Sequence, residues 1–214
     1  MTKQTSRSSS TPSRVVLVGA GGLIGRSILE RLQTQGQLDD VVRLSRSTRP
    51  RLDLEDPASI EQALAALAPF DHVIVAAGEA HFAPLPELRE SSFTLGLRSK
   101  LMGQVRVALA ALPHLRPGGS ITLTSGALSH APARGSTPAA LVNGAIDAFV
   151  RGVAFELQDG RRINAVSPSW ITETLLRFDM DPQQGTSATE VAELYLHALR
   201  SELHGSVIAR IPDA

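Results

Sequence analysis

Short apolar runs alternate with amphipathic stretches along most of the chain. Val15 to Val18 are β-branched residues and Leu, which suits a strand buried on both faces. Ile24, Ile28, Leu29 and Leu32 then recur at helical spacing and predict a helix lying on the sheet. Val41 to Ser45 reads as a second strand and Arg51 to Leu54 as a short third. Asp56 is placed to cap the helix that Pro57 opens, with Ile60, Ala63, Leu64 and Leu67 on its inner face. A fourth strand covers Asp71 to Gly78. Ser91 to Leu112 is one long helix, with Leu97, Leu101, Val105 and Ala108 at helical spacing, stopped by Pro113 and the Pro117-Gly118-Gly119 turn. Ser120 to Ser125 is a fifth strand, and Val142, Ile146, Val150 and Val153 mark a helix over Ala139 to Leu157. A sixth strand (Arg162 to Ser167), a last helix (Thr189 to Leu203) and a last strand (Ser206 to Arg210) follow. Alternation without internal repeat predicts an α/β fold, a doubly wound parallel sheet of about seven strands in a single domain.

Composition narrows the function classes. The chain has 214 residues, enough for one well-buried α/β domain, so that domain must supply every site. Its 21 basic and 21 acidic residues cancel, which argues against nucleic acid or an anionic membrane as partner. The lack of cysteine excludes disulfides, thiolate metal sites and Cys nucleophiles. No uninterrupted apolar run approaches the roughly 18 residues of a membrane span. Residues 1–13, mostly Ser and Thr, lack the apolar core of a secretory signal and are expected to form a disordered tail ahead of a domain over 14–214. The expected location is cytoplasmic.

The first apolar run leads at once into a glycine cluster, Gly19, Gly21, Gly22 and Gly25, and from there into the first helix. Such a turn lets backbone approach a ligand closely, and the N–H groups and dipole of the helix start favour an anion, with pyrophosphate as the natural guest. Its place in the first strand-to-helix unit is where a dinucleotide-binding fold puts its phosphate turn; the alternative is a tight turn with no ligand. The second strand runs into Ser45-Arg46-Ser47 with no carboxylate placed to accept from a ribose 2′-OH. Arg46 there suits charge-assisted bonds to a 2′-phosphate, favouring NADP over NAD; the alternative is a solvated loop arginine.

The order of these landmarks resembles the short-chain dehydrogenase/reductase family over nearly the whole chain beyond the tail. Val18 to Gly25 is similar to the family's glycine motif, with Leu23 in place of its middle glycine. The resemblance implies a cofactor site formed by Gly19, Ala20, Gly22, Leu23, Ile24 and Gly25 around the pyrophosphate, with Ser45 and Arg46 at the ribose. It puts Asp53 and Leu54 at the adenine, Ala76, Ala77 and Gly78 along the cofactor, and Pro168, Ser169 and Thr172 or Thr174 at the nicotinamide. It also implies homodimers or homotetramers joined through the two long helices. The loop Ser169 to Gly185, which carries Trp170, is expected to cover a small-molecule substrate; the alternative is that its apolar residues form a subunit contact.

The catalytic half departs from the family pattern. The family's Tyr and Lys, four residues apart on one helix, fall on Ala139 and Asn143, its Ser on Gly126, and its helix Asn on Lys100. The single Tyr, Tyr195, fits the apolar face of the last helix, and Lys3 and Lys100 are the only lysines, so no other Tyr–Lys pair is available. Candidate catalytic residues are therefore Lys100, to polarise an oxygen or hold a phosphate, His81 or His130 as an acid, and Ser125. No spacing suggests a metal site. Two readings stand: an NADP(H)-dependent oxidoreductase with an unusual proton donor, or a catalytically silent NADP(H)-binding redox sensor or partner subunit.

Overall fold

Alternation along the first strand divides the core. In β1 (Arg14–Val18), Val16 and Val18 point into one hydrophobic cluster and Val15 and Leu17 into the other, so the sheet carries helices on both faces. The computed structural model describes residues 13–34, 40–157, 159–177 and 179–212; all of the expected tail but Ser13 falls outside the described residues.

The other strands are β2 (Asp40–Leu44), β3 (Phe70–Val75), β4 (Leu115–Thr124), β5 (Arg162–Val166) and β6 (Val207–Ile208). They form one parallel sheet in the order β2-β1-β3-β4-β5-β6. The order reverses between β1 and β3, which pair Val15 with His72 and Val18 with Val75. Ligands of open parallel sheets bind outside the strand C-termini at such a switch point.

Among the described residues six strands form rather than about seven. Arg51 to Leu54, expected as a strand, pairs with no neighbour because its donors go elsewhere. Leu52 N–H bonds Ser45 O at 3.0 Å and Asp53 N–H bonds Ser59 Oγ at 3.0 Å. The segment is thereby folded onto the start of α2 (Pro57–Leu67), where the Asp56 carboxylate accepts from Ser59 N–H.

One face carries α2, a helix made of α3 (Ser91–Leu95), a π turn (Gly96–Leu101) and α4 (Met102–Ala111), and α5 (Thr137–Glu156). The other face carries α1 (Leu23–Thr34) and α7 (Ala188–Arg200), which is started by a reciprocal Ser187–Glu190 capping box. A short helix α6 (Thr172–Arg177) lies after β5. By length and mean composition α5 would be apolar enough to cross a membrane, although Asn143, Asp147 and Arg151 interrupt its apolar run. It packs on the sheet instead, burying Val142, Ile146 and Val150.

Candidate functional site

The C-terminal edge of the sheet holds two clefts of about 670 and 490 Å³ that share Ala76, Ala77 and Gly78 as a common wall. The larger begins at the glycine turn. Gly19 has φ +90°, and a side chain there would stand 2.5 Å from Ala76 O, so only glycine lets the exits of β1 and β3 pass this closely. Gly19 O accepts from Gly22 N–H at 3.0 Å, closing the turn on which Gly25 rests. The space beside Gly21 is open. The first N–H groups of α1, a helix of 12 residues, have no intrahelical acceptor.

The same cleft is lined by Ser45, Arg46, Asp53 and Leu54. Ser45 N–H is held by Thr48 Oγ1 at 2.8 Å, and Arg51 holds the Asp53 carboxylate at 2.8 Å. Arg46 is exposed and makes no ion pair among the described residues. Ala20 and Gly25 are buried behind the turn, and Leu23 lies outside both clefts.

The smaller cleft takes Ile24, Lys100, Ser125, Pro168 and Ser169 from the expected set, together with Gly126, Ala139 and Asn143. Lys100 sits in the π turn, a local widening that recurs at functional sites. It turns consecutive residues toward different clefts, Ser99 to the larger and Lys100 to the smaller. Gly78, at φ +126°, admits this crossing, since a Cβ there would fall 2.7 Å from Lys100 Cα. One turn on, the buried Gln104 donates to Thr124 O at 2.8 Å and accepts from Thr124 N–H at 2.7 Å, fastening α4 to the end of β4.

Lys100 Nζ donates to Ser125 O at 2.8 Å. Burial lowers its pKa from the usual 10.5 to about 8, with the Asp147 carboxylate pulling the other way. Ser125 Oγ and Asn143 Oδ1 are buried without partners. Ser125, the residue before the position expected for the family's Ser, thus does reach the cleft lining.

Other candidates lie elsewhere. His81 is exposed and outside both clefts. His130 has a side chain 63% exposed, with Nε2 3.5 Å from the buried Asp147 carboxylate, which also accepts from Ser129 Oγ at 3.0 Å. Thr172 is tied to the 182–186 turn through its N–H to Thr186 O at 3.0 Å, and Thr174 lines the cleft instead. Tyr195 is core, its hydroxyl 2.6 Å from Thr124 Oγ1 and its pKa pushed upward by burial. Sequence reasoning missed Gln104 and Phe82. The Phe82 ring lies 6.1 Å from the Trp170 ring across the cleft mouth. A lone Phe in a loop carries no periodic signal. Among the described residues no three metal-ligating side chains gather.

Three comparisons bear on this geometry. The family model described as Enoyl-(Acyl carrier protein) reductase matches residues 26–200. The L-xylulose reductase of Bos taurus is 30% identical over 176 residues, covering 73% of this chain and 70% of that protein. The structure of the protein lin1944 from Listeria innocua superposes with TM-score 0.86 at 28% identity, over 92% of this chain and 98% of that one. A small-chain dehydrogenase in complex with NADPH gives TM-score 0.82 at 27% identity, over 94% and 97%.

Proposed function

Because the chain belongs to the short-chain dehydrogenase/reductase family, we propose that it is an NADP(H)-dependent oxidoreductase acting on a small carbonyl or alcohol. The observation that carries this reading is the continuity of the two clefts at Ala76–Gly78. A groove running from a glycine turn suited to an anion into a second cleft fits a dinucleotide whose reactive end lies beside its substrate.

The residues present fit such a cofactor. Open space at Gly21 and the N–H groups of the first turn of α1 suit a pyrophosphate. Arg46 and Ser45 suit a 2′-phosphate, and Asp53 and Leu54 the adenosine. Pro168, Ser169 and Thr174, which line the smaller cleft, would border the nicotinamide. When bound, the nicotinamide supplies or accepts a hydride. The chain's own part is to hold the substrate oxygen, exclude water with Phe82 and Trp170, and move a proton.

The test is a titration of Trp170 fluorescence with NADPH and, separately, NADH. NADPH is expected to bind at least tenfold more tightly, and Arg46→Ala to remove that preference, worth about 1.4 kcal/mol. Failure of both nucleotides to bind, checked by calorimetry, would sink the proposal. Ala139 and Asn143 line the cleft where the resemblance expects Tyr and Lys, which favours the second reading, a silent NADP(H)-binding sensor or partner subunit. Tight binding with no turnover across a carbonyl and alcohol panel would select it.

The outer faces of α4 and α5 expose Leu109 (54%) and Leu141 (47%), supporting a homodimer or homotetramer through these helices. Sedimentation showing only monomer at micromolar concentration would remove that part.

A further inference from the structure

Among the described residues Asp147 is the only charged side chain that is buried, 1% exposed on α5 beside the core residues Ile146 and Val150. Its hydrogen bonding is thin for a carboxylate, which can accept about four bonds. Oδ1 has no partner. Oδ2 lies 3.0 Å from Ser129 Oγ, whose single proton is also drawn to Gly126 O at 3.1 Å. His130 stands on the solvent side, its Nε2 3.5 Å from Oδ2. A buried carboxylate with so few contacts is unfavourable unless another charge compensates it.

That charge stands across the turn after β4. Lys100 Nζ donates to Ser125 O at 2.8 Å, and Ser129 Oγ joins the next carbonyl, Gly126 O, to Asp147. Two consecutive carbonyls thus lie between the ammonium and the carboxylate. Ala127 N–H bonds Pro168 O at 2.9 Å and His130 N–H bonds Ala127 O at 2.9 Å, which holds the turn in place. Asn143, one helical turn before Asp147, adds only a neutral amide beside Gly126. Of the other charged groups around Lys100, Arg98 pairs with Glu55 at 3.3 Å and Glu79 lines the larger cleft. Burial takes the lysine from 10.5 to about 8, and Asp147 is the charge that acts against this.

We propose that Asp147 is a positioning residue for the reaction: its buried carboxylate is the counter-charge that keeps Lys100 an ammonium at the smaller cleft. This rests on the oxidoreductase reading above. A carbonyl carbon that accepts hydride from a reduced nicotinamide, which is oxidised in the same step, releases its C=O π pair to oxygen. Lys100 stabilises the charge that develops there and gives the oxygen a proton. The N–H pair stays on nitrogen, and the neutral amine regains a proton from solvent. Reduction therefore needs the protonated lysine, and turnover falls as the pH rises through the value at which Lys100 loses its proton. Without Asp147 nothing opposes the effect of burial, so the fall moves to lower pH. A permanent cation in place of His130 would offset Asp147 and move it the same way.

The first measurement needs neither cofactor nor turnover. In a Lys3→Arg chain Lys100 is the sole lysine, and NMR follows the titration of its Nζ. Asp147→Asn, equal in size and uncharged, is expected to lower the Lys100 midpoint by about half a pH unit or more. His130→Arg, at an exposed position, should lower it by about 0.2 of a unit or more, and it decides the matter if Asp147→Asn does not fold. The second measurement is the pH profile of kcat, with NADPH and the carbonyl of the panel that turns over fastest. Its alkaline fall should move down by the same half unit in Asp147→Asn, about threefold less turnover above it, with NADPH affinity kept within twofold. A residue that only braces the turn would lower Tm or raise KM and leave both midpoints where they are. An unmoved Lys100 midpoint in Asp147→Asn overturns the proposal, as does an unmoved midpoint in His130→Arg where that variant stands alone. Failure of the wild-type chain to bind NADPH instead overturns the oxidoreductase reading, while the lysine titration still reads the Asp147–Lys100 pair.

Discussion

The two clefts that meet at Ala76–Gly78 are made of different materials. The larger is mostly backbone and turn: a glycine at positive φ, open space beside Gly21, and a loop after β2. The smaller is made of side chains brought from distant segments, Phe82, Lys100, Ser125, Asn143 and Trp170. A backbone site is fixed by the fold and tolerates change least at its glycines. A side-chain site can exchange its chemistry while the fold stays, because each contributing residue sits on an element held for other reasons. Breaking each cleft should therefore give different symptoms.

The largest effect is expected at the backbone site. Gly19→Val combines a strained φ with a Cβ 2.5 Å from Ala76 O and 2.8 Å from Ala77 Cβ. Neither backbone can yield without disturbing the β1–β3 pairing, so a loss of about 3–5 kcal/mol is expected, together with NADPH binding. Denaturant unfolding and the Trp170 titration read the two losses. Gly21→Ala separates them: with nothing within 4 Å of the new methyl, stability should hold while NADPH affinity drops at least tenfold. A Gly21→Ala chain that binds like its parent would mean that the open side of the turn faces no ligand.

At the side-chain site the sharpest structural probe is Gln104. It is fully buried and satisfies both Thr124 N–H and Thr124 O. Gln104→Leu keeps the volume and strands both backbone groups, at about 2–4 kcal/mol. Lys100 lies one helical turn away, so its Nζ should lose its fixed position over Ser125. Turnover is then expected to fall at least tenfold while NADPH affinity stays within threefold. Equal losses in both would show that the two clefts move as one unit and would end the comparison drawn above.

This contrast also explains what the sequence disclosed. The turn at Gly19–Gly25, the loop at Ser45–Arg46 and the small residues Ala76–Gly78 are local signals, each readable from a few consecutive residues, and the structure brings them to one groove. Alternating strands and helices were equally legible because burial imposes periods of 2 and 3.6. The Arg51–Leu54 segment misled because Leu52 is buried, at 2%, and Leu54 half-buried, while its hydrogen bonds go to a loop and a helix cap, a fact that periodicity does not carry. Phe82, Gln104 and the choice of Thr174 over Thr172 depend on contacts between segments far apart in the chain. The π turn that aims Lys100 is a one-residue change in helix register without a compositional mark.

The smallest predicted effect has the opposite sign. A cationic lysine held in an apolar cleft costs stability, and replacing it should return some. Its pKa in the fold, about 8, lies below the usual 10.5. Between those values the unfolded chain binds a proton that the fold has shed, so stability contributed by this residue rises with pH across the window. Above 10.5 the lysine is neutral in both states and costs nothing; below 8 it is charged in both and the penalty is complete. At about 1.36 kcal/mol per pH unit that penalty is roughly 3 kcal/mol. The bond to Ser125 O offsets about 1 kcal/mol of it, leaving a gain of about 1–2 kcal/mol for Lys100→Met at pH 7. That corresponds to a rise in Tm of roughly 2–8 °C, which should shrink as the pH is raised towards 10. A variant that is stabler at pH 7 and inactive would mark Lys100 as a residue kept at a cost to the fold. If Lys100→Met is destabilised at pH 7, the ammonium contributes to the packing of the π turn, and the smaller cleft is held together by the same group that is assigned its chemistry.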